Sequence, residues 1–182
     1  MMWLALIAVA AGCGVGIAAG GRLTNLRAAR LRWLWLLGAG AACEAVADKW
    51  ISTGAGLWLV IVGYALMVSF AVGNLPHAGS VLIAAGLFSN LLVIGVNAGM
   101  PVRGVTPGAQ LGGHHHGEEN GDRLTGLADE VYVPPLGETL SAGDFLLAIG
   151  VGTMAGFAVV GGRRPALAGK GAGTEAGVGA SA

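Results

Sequence analysis

Between Trp50 and Val102 the chain runs 53 residues without one Asp, Glu, Lys or Arg. At 1.5 Å rise per residue a single helix of that length would reach about 80 Å, well beyond the ~30 Å hydrocarbon core of a bilayer. The run must therefore fold back on itself. The break is legible at Gly73-Asn74-Leu75-Pro76-His77-Ala78-Gly79, where Pro removes a donor and Gly and Asn permit a turn. Two spans follow from it, near 55–73 and 79–97.

Other uncharged runs extend the pattern. Residues 2–21 carry no charge and give a first span; the basic n-region and cleavage site of a signal peptide are missing, so the helix is expected to be retained. Residues 33–50 form a second span, interrupted late by Glu44, Asp48 and Lys49, and residues 144–162 form the last. Only 11% of the 182 residues are charged, against about 25% in a soluble domain, so lipid is the expected solvent and the bilayer the first partner. The expected fold is all-α, a polytopic bundle of about five transmembrane helices over residues 1–162. Residues 98–140 are expected to be an extracytoplasmic loop with little regular structure, and 163–182 a disordered cytoplasmic tail.

Charge asymmetry supports an odd number of spans. Seven of the ten basic residues (22, 27, 30, 32, 163, 164 and 170) share one side of a five-span topology, which the positive-inside rule makes cytoplasmic. The N-terminus is then outside, in a bacterial cytoplasmic membrane. Dropping the second span would send one basic cluster across the bilayer. Nine of the ten acids gather on the outer side, leaving only Glu175 in the tail. Zero net charge argues against a nucleic-acid partner, and no cofactor motif is present. Cys13 and Cys43 lie in apolar stretches and read as small buried hydrophobes.

Ionisable and amide groups within spans are the candidate sites. Glu44 and Asp48, one turn apart, would form either an outward carboxylate pair or two groups reaching headgroup water where the helix ends early; the second reading is favoured. Asn90 and Asn97 on the fourth span suit hydrogen bonds to a neighbouring helix. Gly12, Gly16 and Gly20 make a small-residue face for close packing. His114-His115-His116 beside Glu118 and Glu119 could ligate a metal, but adjacent residues rarely close a tetrahedral site, and a solvated loop is the expectation. Ser141-Ala142-Gly143-Asp144 fits a capping box that accounts for Asp144 without chemistry.

The order of several motifs resembles a known family. Gly20-Gly21-Arg22-Leu23, Asn97-Ala98-Gly99-Met100-Pro101-Val102, Leu127-Ala128-Asp129 with Val133-Pro134-Pro135-Leu136, and Ser141-Ala142-Gly143-Asp144 are similar to the bacterial membrane-protein family catalogued as domain of unknown function 5317. Ala128-Asp129 stands where that pattern has Gly-Asp. The family carries no assigned activity, so the resemblance implies an architecture and no mechanism. A non-enzymatic transport component, sensor or partner-binding subunit is the expected role, with another membrane protein as partner.

Two alternatives stand beside it. One is metal binding through the His loop. The other is an intramembrane hydrolase using Asp129 and Asp144, because Leu-Ala-Asp-Glu-Val…Ser-Ala-Gly-Asp resembles the last motifs of lipoprotein signal peptidases. Proton sharing would require the two carboxylates to lie close together. The Asn-x-x-Asp-Arg and Phe-Asn-x-Ala-Asp motifs of that family are not matched.

Overall fold

A computed structural model describes residues 2–50, 54–105, 111, 114–135 and 138–161. The described chain is mainly five helices: α1 (Met2–Ala18), α2 (Leu34–Trp50), α3 (Gly54–Gly73), α4 (Ser80–Asn97) and α5 (Ala142–Val160). A 3-10 helix, Leu23–Ala28, lies between α1 and α2. Three helices, α3, α4 and α5, are long and apolar enough to cross a membrane; Trp3–Ala18 and Leu34–Ala47 are shorter apolar helices. The expected tail, 163–182, and the side chain of Asp48 lie outside the described residues.

The helices pack in the order α2, α3, α4, α5, α1, so the first helix docks on the last. Three of these four interfaces are lined by glycine: Gly40 against Gly63, Gly86 against Gly143, and Gly12 with Gly16 against Gly152 and Gly156. Without side chains the backbones approach closely and gain dispersion contacts along their length. The α3–α4 interface differs. Val60, Met67, Ile83 and Leu87 fill it as a conventional core. Of the small-residue face expected on the first span, Gly12 and Gly16 pack on α5, whereas Gly20 lies beyond α1 at φ +85 with open space around it.

One end of the bundle gathers three connections. The Arg22 N–H donates to Val159 O at 2.9 Å, and Asn25 Nδ2 donates to the same carbonyl at 2.8 Å. Asn74, fully buried, accepts from Arg32 N at 2.8 Å through Oδ1 and donates from Nδ2 to Arg32 O at 2.9 Å and Phe70 O at 2.8 Å. Its own carbonyl accepts from Ser80 Oγ at 2.6 Å. The α3–α4 turn thus grips the segment leading into α2. Trp33 adopts φ +56, rare for a bulky residue, with its ring against Gly73, where a Cβ would have no room.

At the other end the expectation of an unstructured 98–140 loop is corrected. Four short strands form there: β1 (Met100–Val102), β2 (His115–Gly117), β3 (Asp129–Val133) and β4 (Glu138–Ser141), in the order β2-β1-β3-β4. β1 pairs parallel with both neighbours, while β3 and β4 pair antiparallel across Val131↔Leu140 and Tyr132↔Thr139. All-α is therefore incomplete: the fold is a helical bundle with a small sheet as a cap. The strands of β1 and β2 are too short for alternation to show, and Pro101 sits within one of them. Arg103 clamps the cap, its Nε 3.0 Å from Glu118 Oε2 and its Nη1 2.6 Å from Glu130 Oε1. The hydrogen bond from Arg103 holds the Glu118 carboxyl below its usual range.

Candidate functional site

Where the cap meets the bundle, polar side chains from α3, α4, α5 and the sheet converge. β4 runs directly into α5, so Ser141 is both the last residue of a strand and the cap of a helix. The capping box is formed: Asp144 N donates to Ser141 Oγ at 3.1 Å, and Ser141 N donates to Asp144 Oδ2 at 3.0 Å. Asn90 of α4 completes the junction. Its Nδ2 donates to Asp144 Oδ1 at 2.7 Å, and its Oδ1 accepts from Ser141 Oγ at 3.0 Å. Asn90 lies seven residues before the end of α4, about 10 Å along the helix from that terminus. The expected helix-bridging role of Asn90 and the capping role of Asp144 therefore meet in one network.

Tyr64 of α3 extends it. The ring is buried, its hydroxyl is in hydrogen-bond contact with the Asn90 side chain, and Glu44, Asp144 and Asp129 all lie within electrostatic reach. Glu44 does not sit where a helix has ended. α2 continues to Trp50, so the helix does not end early at Glu44; the side chain is half-buried, its Cγ 3.6 Å from where a Cβ on Gly63 would stand. Tyr64 is the residue the sequence reading missed. A lone hydroxyl in an uncharged span needs a buried partner, and that requirement was the available signal.

Asp129 opens β3 and stands opposite Ser141 in the β3–β4 register. One cross-strand step and one hydrogen bond thus connect it to Asp144, which it influences electrostatically. Its carboxylate lies 3.2 Å from His115 Nε2, and its side chain is 5% exposed. The two acids singled out in the sequence are brought to the same junction.

The three histidines take different partners. His114 stacks on His115 with ring centroids 4.5 Å apart and presents an edge to Tyr64 at 6.4 Å. His115 turns to Asp129, and His116 Nε2 lies 3.3 Å from Asp122 Oδ1. Among the described residues no three His, Cys, Asp or Glu side chains converge as a metal site. The Glu119 N–H, donating to Asp122 at 2.8 Å, holds that carboxyl below its usual range, and His116 adds to the effect. Asn97 grips the loop from below: its Nδ2 donates to Arg123 O at 2.8 Å and its Oδ1 accepts from Arg123 N at 2.8 Å.

Burial, and then the neighbouring His115, lower the His114 pKa from 6.5 to about 4. Its folded value lies below its unfolded one, so the unfolded chain binds the extra proton in that interval. The contribution is fully present above pH 6.5 and is lost as pH falls toward 4, roughly 3 kcal/mol across the window. Unfolding free energies measured between pH 7 and 4 should decline more steeply in the native chain than in His114→Gln. Parallel curves would show that His114 does not carry the loss.

A family model described as Family of unknown function (DUF5317) matches residues 28–155. No curated protein and no solved structure matches the chain.

Proposed function

The chain belongs to DUF5317, a family of unknown function, and from that premise we propose that it is a non-enzymatic, partner-binding subunit of five membrane spans. Its sheet cap is extracytoplasmic, and its N-terminus is outside. The opposite end, with Arg22, Arg27, Arg30 and Arg32, faces the cytoplasm. Large apolar side chains point outward from every helix, among them Val15, Trp35, Trp58, Phe88 and Phe157, which supports a lipid surround. The meeting of the 22–32 segment with the α3–α4 turn and the end of α5 supports the odd span count.

One observation carries the non-enzymatic reading: the polar junction is saturated by its own members. Both oxygens of Asp144, both ends of the Asn90 amide and the Ser141 hydroxyl are engaged. Among the described residues no buried side-chain N or O lacks a partner. Such a junction locks the cap to the bundle and leaves recognition to the cap's outer surface. Glu119, Glu130, Val131 and Tyr132 are exposed there. The partner is a second membrane protein whose exposed segment is basic and apolar.

A photo-crosslinking residue at Tyr132, introduced into the full chain in native membranes, should give one discrete adduct identifiable by mass spectrometry. A maleimide that cannot cross membranes should label Asn120→Cys, and not Ala29→Cys, from outside intact cells. Absence of an adduct, or the reverse labelling, would sink the reading. The hydrolase alternative is favoured by the approach of Asp129 to Asp144. It predicts that Asp129→Asn, folded normally, leaves an uncleaved membrane protein accumulating in comparative N-terminal proteomics. The partner-binding reading predicts no such accumulation.

A further inference from the structure

We infer that the segment from Arg22 to Trp33 is a binding site for the headgroup of an anionic phospholipid. Arg22, Arg27, Arg30 and Arg32 are all exposed within eleven residues, interleaved with exposed Leu23, Leu26 and Trp33. Alternation of guanidinium and apolar side chains suits a boundary at which one kind meets phosphate and the other enters acyl chains. Arginine presents several donors in a planar fork that matches phosphate oxygens.

The segment is fixed at both ends. Arg22 N and Asn25 Nδ2 hold it to Val159 O, and Asn74 holds the backbone of Arg32 from both sides. The arginines are therefore carried on a backbone already ordered, which lowers the entropic cost of binding. Trp33, wedged against Gly73 with the Arg32 guanidinium 5.3 Å from its ring centroid, is an interfacial anchor.

Charge complementarity identifies the occupant. Among the described residues no carboxylate bridges these four arginines, and every described acid lies on α2, the cap or the start of α5. An anionic leaflet supplies the missing charge, and each arginine near such a surface favours binding about fivefold. The inference rests on the membrane-spanning part of the reading above and is independent of the cap's partner and of orientation.

The test uses the full chain reconstituted in nanodiscs of equal phosphatidylglycerol and phosphatidylcholine with matched acyl chains, with retained lipid counted by native mass spectrometry. Phosphatidylglycerol should be retained about fivefold or more over phosphatidylcholine. Enrichment should fall as salt rises from about 0.05 to 0.5 M, because exposed charges are screened. R27Q/R30Q, which leaves Arg22 and Arg32 in place, should lose most of the preference while melting normally in phosphatidylcholine alone. Equal retention of the two lipids overturns the inference. So does enrichment that ignores salt, enrichment unchanged in R27Q/R30Q, or displacement of the lipid by inorganic phosphate. Failure of the chain to enter nanodiscs would instead remove the membrane reading itself, and a missing Tyr132 adduct would touch only the partner.

Discussion

Asp144→Ala should lower the unfolding free energy by about 2–6 kcal/mol, because it strips the acceptor from two buried donors at once. Asn90 Nδ2 and Ser141 N both donate to this carboxylate, and the residue is 2% exposed, so water does not replace the lost oxygens. Typical domains are stable by only 5–15 kcal/mol, so the variant sits near the limit of folding. Asp144→Asn should cost less, about 1–3 kcal/mol: it keeps one acceptor but turns an amide N–H toward one of the two donors. Denaturant unfolding in a fixed detergent measures both. A loss under about 1 kcal/mol in Asp144→Ala would show that the junction is not the lock between cap and bundle.

Gly12→Leu should detach α1 from α5. A side chain at Gly12 would begin inside the carbonyl of Gly152, and backbone cannot yield as a flexible side chain does. At Gly16 the added atom would stand 2.7 Å from Gly156 O and 2.8 Å from Val159 Cβ, so the obstruction continues for a full turn. Overpacking typically costs about 1–3 kcal/mol, and occasionally more. Gly14 is the internal control, with nothing within 4 Å of its would-be Cβ. Gly14→Ala should be neutral or stabilising by up to about 1 kcal/mol from helix propensity alone. Melting temperature and limited proteolysis of the α1–α2 connection read the contrast. Equal effects of leucine at positions 12 and 14 would remove the glycine interface as the cause.

The helices were legible because charge and proline mark their limits independently of what they touch. Pro76 with Asn74 announced the turn between α3 and α4, and the structure turns there. Asn74 itself read only as a turn residue; its grip on Arg32 spans 42 positions and has no local signature. The sheet was illegible for a related reason. Met100-Pro101-Val102 becomes a strand because His115 to Gly117 and Asp129 lie beside it, and pairing of that kind leaves no period in the sequence. The junction fell between these cases. Ser141 and Asp144 are three residues apart and formed a recognisable cap, whereas Asn90 joins them from 54 positions away. At Glu44 a late charge suggests an early helix end, but its contact with α3 beside Gly63 has no local signature, and α2 continues past it.

The docking of α1 on α5 also sets a timetable for biosynthesis. The first helix is complete at Ala18, and its partner begins only at Ala142. At about 5–20 residues per second the ribosome needs roughly 6–25 s to make the chain between them. Throughout that interval the face carrying Gly12 and Gly16 has no α5 to meet. The newborn helix must wait with that face uncovered until α5 has been made. A chain truncated before α5 would leave that face open, a glycine-lined surface whose partner lies 124 residues downstream.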